Sequence, residues 1–153
     1  MLMHFRKATN ADIALLARQN QQLIQDEGHR NRMSLPELEN RMRSWLHGEY
    51  EAIIFEHDGR PIAYALCRTD GDGIYLRQFF VDRQYRRKGF GRQAIKMLLS
   101  NILPREKRVT VDILINNQSG QAFWKALGFI DYAITLEMLP EAKDGSMSCP
   151  QPP

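Results

Sequence analysis

The chain has few of the residues that mark several large classes of protein. Its 153 residues include only two cysteines, Cys67 and Cys149, which form neither a disulfide framework nor a metal-binding motif. We therefore expect a reducing, cytoplasmic environment and interpret Cys67 as a small buried apolar side chain. No apolar run approaches the roughly 20 residues needed to span a bilayer. The opening segment, "MLMHFRKATNAD", becomes polar too early for a secretory signal peptide.

Neither sign of charge is in large excess. Lys and Arg number 21 against 18 Asp and Glu, giving a formal net charge of +3, with 43% hydrophobic and 25% charged residues. Such a composition is ordinary for a globular protein and does not by itself indicate a nucleic-acid or membrane partner. The length favours one domain, which we expect over residues 1–138. From residue 139 onward the periodicity is lost, and we expect a disordered tail over residues 139–153.

The periodicity of the other residues predicts an α/β protein with the order β-α-α-β-β-β-α-β-α-β. Capping boxes begin the first two helices, at Thr9 and at Ser34, and Asp58-Gly59 predicts a hairpin turn. "RVTVDILI" is nearly continuously apolar, as a strand covered on both faces would be, and "IDYAITLEM" predicts a final strand. Together these elements predict a mixed sheet with helices packed on its faces.

The segment "FFVDRQYRRKGFGRQAI", from Phe79 to Ile95, combines a strand end, clustered cations and a helix start. Gly89 and Gly91 permit unusual backbone conformations and allow a ligand to approach the main chain closely. The N-terminus of the following helix favours anions, and arginine can bind phosphate with two parallel hydrogen bonds. We therefore predict a phosphate or diphosphate site at this turn. Its cations are Arg86, Arg87, Lys88 and Arg92.

Other interpretations of the same turn stay open at this point. Glycines and arginines near a helix start also occur in solvated loops. The chain contains no G-x-x-x-x-G-K-[ST] segment, and two glycines do not complete a G-x-G-x-x-G fingerprint. A P-loop and a dinucleotide fold are therefore disfavoured. "RQYRRKGFGR" could contact nucleic acid, but the rest of the chain shows no matching basic face.

Two motifs, in this order, resemble those of the GNAT superfamily of N-acetyltransferases. "RRKGFG" fits the R-x-x-G-x-G/A motif, and "NNQSGQAFWKALGF" resembles the N-x-x-A-x-x-x-Y-x-x-x-G-F pattern. The resemblance covers residues 3–138 and implies acetyl-CoA as co-substrate, without a metal. It implies that main-chain N–H groups of the turn hold the diphosphate and that strand main chain pairs with the pantetheine arm. The residues implied to bind acetyl-CoA are Phe79, Phe80, Val81, Arg86, Arg87, Lys88, Gly89, Phe90, Gly91, Arg92, Asn117 and Trp124.

The chain departs from the family pattern at the position of the catalytic acid. Many members have a tyrosine there that protonates the departing thiolate, whereas this chain has Trp124, and an indole N–H cannot supply a proton. Because a cysteine-type thiol has a pKa of about 8.5, leaving as thiolate at pH 7 costs only about 2 kcal/mol. Loss of the tyrosine is tolerable on this estimate. Trp124 is equally well interpreted as a catalytic residue at the thioester or as a core aromatic.

The catalytic base is the harder problem. Many members place a glutamate on the strand before the turn, where this chain has Arg77 and Gln78. Presenting a lysine-like amine in its neutral form at pH 7 costs about 4.6 kcal/mol. We favour a water chain to solvent over a dedicated base, since each side chain that could serve is more readily interpreted as structural or solvent-exposed. Those candidates are Glu27, His29, Tyr64 and Asp112.

The resemblance implies an N-acetyltransferase that moves an acetyl group from acetyl-CoA to a primary amine of a small molecule or peptide. Glu27, Arg77 and Gln78 are the candidates for binding that acceptor, and Arg77 would favour an acceptor with a carboxylate or phosphate. The alternative is an acyl-CoA-binding sensor without transferase activity, which would predict the missing tyrosine and glutamate. A nucleic-acid-binding module is a third interpretation. Dimers are common among relatives, so a homodimer is an open alternative.

Overall fold

The computed structural model describes residues 2–143 and divides the chain into two units. The larger unit ends at Asp112, and the smaller one begins at Ile113. The larger unit contains strands β1 (Met3–Lys7), β2 (Tyr50–His57), β3 (Arg60–Asp70), β4 (Gly73–Val81) and β5 (Arg108–Val111), with helices α1 (Ile13–Glu27), α2 (Leu35–His47) and α3 (Phe90–Met97). The smaller unit contains α4 (Gln118–Ala126) and α5 (Pro140–Lys143). The predicted order is confirmed from β1 to α4.

Local sequence signals set where the first two helices begin and where the first one ends. Thr9 and Asp12 form the predicted capping box ahead of α1, and the Thr9 N–H donates to Asp12 Oδ2 at 2.8 Å. Ser34 and Glu37 form the second box, in which the Glu37 N–H donates to Ser34 Oγ at 3.3 Å. Gly28 ends α1 with a φ of 68°, a left-handed conformation that glycine adopts without steric cost. These signals produce a helical pair between β1 and β2.

The main core of the larger unit lies between this helical pair and the sheet. Removal of apolar side chains from water on this side supplies the main stabilisation. Because strand side chains alternate between faces, every second residue of β2 and β3 contributes to the same layer. The members are Ile13, Leu16, Leu23, Met42, Tyr50, Ala52, Ile54, Tyr64, Leu66 and Phe80.

A five-stranded sheet in the order β1-β2-β3-β4-β5 supports the larger unit. Neighbouring strands are antiparallel except for β4 and β5, which run parallel. The parallel ladder joins only Gly73–Leu76 of β4 to Arg108–Val111 of β5. Since β4 runs on to Val81, its C-terminal half extends past its pairing with β5.

A β-bulge interrupts β4 just after its last pairing with β5. Leu66 of β3 pairs with Gln78, whereas the next residue, Cys67, pairs with Leu76. Arg77 is therefore the extra residue on β4. A bulge bends the strand and redirects side chains, and bulges are common beside active sites.

Strand β5 is shorter and less buried than the sequence predicted. It spans four residues, Arg108–Val111, which are exposed or half-buried. Ile115, further along the same apolar run, is 82% exposed. The expectation of a strand covered on both faces was wrong, because no residue of β5 is buried.

The final strand predicted at "IDYAITLEM" does not form. Residues 129–139 carry no strand pairing, although Ile130, Ile134 and Leu136 keep the alternating apolar pattern, and all three are exposed. A strand needs a hydrogen-bonded neighbour, and the described part of the smaller unit contains only helices. Helix α5 follows this segment, and residues 144–153 of the predicted tail lie outside the described residues.

The described residues show neither a membrane-spanning helix nor a cluster of metal ligands. Within residues 2–143, no helix is both long enough and apolar enough to cross a bilayer. No three His, Cys, Asp or Glu side chains in that range lie close enough to hold a metal ion together. Cys67 is buried, as predicted, and burial raises the pKa of its thiol to about 12. A thiol in such surroundings is chemically inert.

Candidate active site

The turn between β4 and α3 adopts a backbone conformation that most residues avoid. Arg87 has a φ of 62° and Gly89 a φ of 86°. For a residue other than glycine this left-handed conformation costs about 1–2 kcal/mol, so the surrounding structure must hold Arg87 in it. A left-handed residue followed by a right-handed one turns successive main-chain N–H groups toward one point, which forms a concavity for an anion.

Helix α3 begins directly at this turn, with Phe90 in its first position and Gly89 as its N-cap. The first intrahelical bond runs from the Gln93 N–H to the Gly89 carbonyl at 3.0 Å. The N–H groups of residues 90–92 therefore have no acceptor within the helix. The Phe90 ring is buried and lies 4.8 Å from the His57 ring, measured between centroids, which fixes the helix start on the sheet. The unpaired N–H groups and the helix dipole both favour an anion here.

Three further cations belong to this turn and to the start of α3. Arg87, Lys88 and Arg92 are exposed, and no carboxylate within residues 2–143 forms an ion pair with any of them. Their charge is therefore available to a ligand. A diphosphate group fits this combination of converging N–H donors and unpaired cations.

Arg86 differs from these three because its side chain is bound within the protein. Its Nε donates to the Val81 carbonyl at 2.8 Å, and its Nη2 donates to Asp26 at the end of α1. Arg83 also pairs with Asp26, with 3.0 Å between its Nε and Oδ1. Burial acts to raise the pKa of Asp26, but the two arginines outweigh burial and lower it. The Arg86 guanidinium thus fastens the turn to α1 and to the end of β4, which leaves its main chain as the part available to a ligand.

The C-terminal half of β4, which extends past its pairing with β5, has main-chain groups on the edge that faces away from β3. The Asp82 N–H donates to the Ile62 carbonyl of β3 at 2.8 Å. Since consecutive strand residues direct their main-chain groups to opposite edges, Phe80 also faces β3, and Phe79 and Val81 face the other edge. Of the three strand residues implied to pair with the pantetheine arm, Phe79 and Val81 have the required orientation. Phe80 does not, because its main chain pairs with β3.

Glu27, a candidate base, lies at the end of α1 beside charged side chains. A Glu27 carboxylate oxygen lies 3.4 Å from His29 Nε2, and the carboxylate interacts electrostatically with Arg86 and with Tyr64. Burial raises the pKa of Glu27, and His29, itself exposed, offsets part of that rise. A carboxylate whose pKa is closer to neutrality is a more effective general base. Glu27 therefore stays a candidate for the catalytic base, as does the water chain expected from the sequence.

Tyr64 does not fit the role of base, and Asp112 is hydrogen-bonded to a tyrosine of β4. Tyr64 is fully buried, and its hydroxyl donates to Gln78 Oε1 at 2.9 Å. Burial raises the pKa of Tyr64 far above its ordinary value, so the phenolate is inaccessible at neutral pH. Asp112 accepts a hydrogen bond from the Tyr75 hydroxyl at 2.9 Å. Gln78 uses its amide oxygen for Tyr64 and retains its amide N–H groups as candidates for binding an acceptor.

Arg77 projects from the bulge toward α2 and β2. Its Nη1 donates to the Tyr50 hydroxyl at 3.1 Å, and its guanidinium carbon lies 4.8 Å from the centroid of the Trp45 ring. Gln78 points to the same side, where it meets Tyr64. Both bulge residues therefore face the side of the sheet that α1 and α2 cover. Arg77 is exposed there and accessible to an acceptor.

Asn117 and Trp124 belong to the smaller unit and have structural roles within it. Asn117 Oδ1 caps α4 by accepting the Gly120 N–H at 3.1 Å. Trp124 is buried and makes edge-on ring contacts with Phe123 and Phe129, each at 5.1 Å between centroids. These contacts favour the interpretation of Trp124 as a core aromatic. The contacts of both residues with acetyl-CoA remain predictions.

Sequence reasoning did not predict the ion pairs of Asp26, and it missed Arg41 and Trp45. Asp26 pairs with arginines that lie 57 and 60 residues away, a separation that no local pattern reveals. On α2 the Arg41 guanidinium carbon lies 4.4 Å from the Trp45 ring centroid. Their four-residue spacing predicts a shared helix face. It does not predict that β4 brings Arg77 to the same ring.

Solved structures of acetyltransferases share this fold. A predicted acetyltransferase with acetyl-CoA from Clostridium acetobutylicum is 20% identical with a TM-score of 0.70, and 90% of this chain and 96% of that chain are covered. A GCN5-related N-acetyltransferase from Ralstonia eutropha JMP134 is 17% identical with a TM-score of 0.69, over 90% and 99% of the two chains. The ribosomal-protein-S18-alanine N-acetyltransferase from Escherichia coli is 20% identical with a TM-score of 0.67, over 86% and 80%.

Sequence comparison identifies the family. No curated protein matches the chain. The model of the acetyltransferase (GNAT) family matches residues 17–129, a range that contains the β4–α3 turn, Glu27 and the bulge. Because this match covers most of the sequence, the chain belongs to the GNAT acetyltransferase family.

Proposed function

We propose that the protein transfers an acetyl group from acetyl-CoA to a primary amine of a small molecule or peptide. The β4–α3 turn is the observation that carries this proposal. Left-handed Arg87 and Gly89, unpaired N–H groups at residues 90–92 and unpaired cations together suit a diphosphate. Membership in the GNAT family supports acetyl-CoA as the ligand that contains this diphosphate.

The residues proposed to hold acetyl-CoA follow from the turn and from the edge of β4. The main chain of residues 87–92 would bind the diphosphate, with added charge from Arg87, Lys88 and Arg92. The main chain of Phe79 and Val81 would bind the pantetheine arm as an extension of the sheet. Asn117 and Trp124 are proposed as contacts on the family motif alone. When bound, acetyl-CoA supplies an activated acetyl thioester.

Glu27 is proposed to take the proton that the amine loses as it is acylated. Holding a lysine-like amine neutral at pH 7 costs about 4.6 kcal/mol, so a base beside it lowers the barrier. The raised pKa of Glu27 suits this transfer. No acid is required at Trp124, since departure of a thiolate at pH 7 costs only about 2 kcal/mol. Alignment of the amine with the thioester supplies much of the remaining acceleration.

An acyl-CoA-binding sensor without transferase activity is the alternative. It is favoured by Trp124, which replaces the family's tyrosine, and by Arg77 and Gln78, which occupy the positions of the strand glutamate. The same turn would bind the coenzyme in both cases. The two functions therefore differ in whether the thioester is broken, and not in whether it is bound.

Two measurements on the purified protein test these functions. Isothermal titration at moderate ionic strength measures binding of CoA, with pantetheine, which lacks the diphosphate and the nucleotide attached to it, as the control. Release of free thiol from acetyl-CoA is then followed with a panel of primary amines. We expect CoA to bind much more tightly than pantetheine and at least one class of amine to release thiol. CoA binding without thiol release would favour the sensor, and absence of CoA binding would refute both functions.

A further inference from the structure

A cluster of arginines and aromatic rings lies beside the bulge in β4, on the side that α2 covers. We call Arg41, Trp45, Tyr50, Arg68 and Arg77 the arginine–aromatic cluster. The guanidinium carbons of Arg41 and Arg77 lie 4.4 and 4.8 Å from the centroid of the Trp45 ring. Arg68 and Arg77 both donate to the Tyr50 hydroxyl, at 3.0 and 3.1 Å. Three guanidinium groups therefore contact two aromatic side chains.

The cluster carries more positive charge than nearby carboxylates balance. Arg68 pairs with Asp70 at 2.8 Å. None of the carboxylates in the described part of the chain forms an ion pair with Arg41 or Arg77. Arg41 donates to a neutral acceptor instead, Asn20 Oδ1, at 3.0 Å. Two neighbouring cations without a counter-charge create a positive potential that attracts an anion.

The protein also leaves part of the Arg41 guanidinium without a hydrogen bond. The Nε atom is buried and has no acceptor among the described residues, whereas buried polar groups nearly always have one. The pKa of Arg41 is lowered, mainly by burial and to a smaller extent by the positive charge of Arg77. Arg41 thus lacks both a counter-charge and a full set of acceptors, while Arg77 beside it is exposed. This arrangement suits a negatively charged group that enters from solvent at Arg77.

The location of the cluster connects it with the acceptor. Arg77 is the bulge residue, and the turn proposed to bind the diphosphate follows Val81, about 13 Å further along the strand. The edge of β4 proposed for the pantetheine arm lies between these two points. Arg77 projects to the side of the sheet that α1 and α2 cover, and Glu27 ends α1. An amine held at Arg77 would therefore approach β4 from the side that carries the proposed base.

We infer that the acceptor amine also bears an anionic group, a carboxylate or a phosphate, which Arg77 and Arg41 bind beside the Trp45 ring. This inference rests on the proposed acetyl transfer and specifies the class of its acceptor. Arg68 and Tyr50 are positioning residues, because the Tyr50 hydroxyl accepts from Arg68 and Arg77 together.

Matched pairs of amines that differ only in the anionic group test the inference. Amino acids are compared with their carboxamides for the carboxylate, and phosphoethanolamine with ethanolamine for the phosphate. Isothermal titration in the presence of CoA measures binding, and thiol release from acetyl-CoA measures transfer. We expect the anionic member of at least one pair to bind roughly 10- to 100-fold more tightly. Arg77→Gln and Arg41→Gln should each reduce this preference by weakening binding of the anionic member more than binding of the neutral member.

Arg43→Gln is the matched control and should keep the preference, because Arg43 lies on the same helix, is exposed and bonds to Asn40. Equal binding of both members of every pair by the wild type would overturn the inference. So would an Arg77→Gln variant that loses affinity for both members alike, which would indicate a structural role. Equal transfer to both members would support acetyl transfer and refute anion recognition. Anionic preference in binding with no thiol release would support recognition and refute acetyl transfer.

Discussion

The β4–α3 turn and the arginine–aromatic cluster both concentrate positive charge, but they present it by different means. In the turn the cations are exposed, and main-chain N–H groups held by Arg87 and Gly89 form the proposed binding surface. In the cluster, guanidinium groups pack against the rings of Trp45 and Tyr50. A site built from main chain depends on backbone conformation, whereas a site built from side chains depends on their identity. The two regions should therefore respond to different kinds of substitution.

Glu27 interacts electrostatically with Arg86 of the turn, and its substitution has the largest expected effect. Glu27→Gln removes the proposed base while keeping the shape of the side chain. We expect kcat at pH 7 to fall about 100-fold or more. The rise of kcat with pH, which reports deprotonation of the base, should disappear. The measurement is kcat against pH for the wild type and the variant, with Glu106→Gln, at an exposed residue, as the control.

The same variant should be more stable than the wild type at neutral pH. Because burial raises the pKa of Glu27, the folded protein binds this proton more tightly than the unfolded chain does. Its stabilising contribution is complete below the ordinary pKa of a glutamate and is lost as the pH rises through the raised pKa. Thermal unfolding at pH 7 should therefore occur at a higher temperature for Glu27→Gln. If Glu27→Gln kept full activity across the pH range, Glu27 would be excluded as the base, and the water chain would be favoured.

Gly89→Val tests how far the turn depends on its backbone. Valine is strongly disfavoured at a φ of 86°, so the N–H groups at the start of α3 should lose their common direction. We expect affinity for CoA, measured by isothermal titration, to fall about 10- to 100-fold. Gly71→Val is the control, because Gly71 has a φ of 56° in the β3–β4 turn, away from the proposed site. It should destabilise the fold comparably and leave CoA affinity unchanged. Equal losses in both variants would contradict a local role for Gly89.

The contrast between the two regions also explains what the sequence could predict. Every residue of the turn is contiguous, so its glycines, cations and helix start could be recognised together in one segment. The cluster joins α2 to three strands, and the bulge at Arg77 depends on pairing with β3. Neither the pairing register nor the approach of Arg77 to Trp45 is encoded in a local pattern.

The wrong predictions have the same physical origin. "IDYAITLEM" has the alternating apolar side chains of a strand. That pattern does not provide a neighbouring strand, which the main chain needs for its hydrogen bonds. The extent of β5 likewise depends on which elements cover it. Helix starts were predicted more accurately because capping boxes such as Ser34 with Glu37 are satisfied within four residues.

A pair of substitutions at Arg87 separates backbone from charge within the turn, with a smaller expected effect. Arg87→Gly keeps the left-handed conformation and removes one exposed cation, so CoA affinity should fall only about two- to fivefold. Arg87→Val removes the same charge and adds backbone strain, so affinity should fall roughly tenfold further. Isothermal titration of both variants with CoA makes the comparison. Equal losses would show that the Arg87 side chain, and not its conformation, is what the ligand requires.

Trp124→Phe should have the smallest effect on catalysis. The indole cannot supply a proton to the leaving thiolate, and its contacts with Phe123 and Phe129 indicate a packing role. We therefore expect kcat to change by less than about threefold, while the smaller ring lowers the free energy of unfolding by about 1–3 kcal/mol. Steady-state kinetics and chemical denaturation measure the two quantities separately. A fall in kcat of about 100-fold with unchanged stability would contradict the packing role and place Trp124 at the reacting thioester.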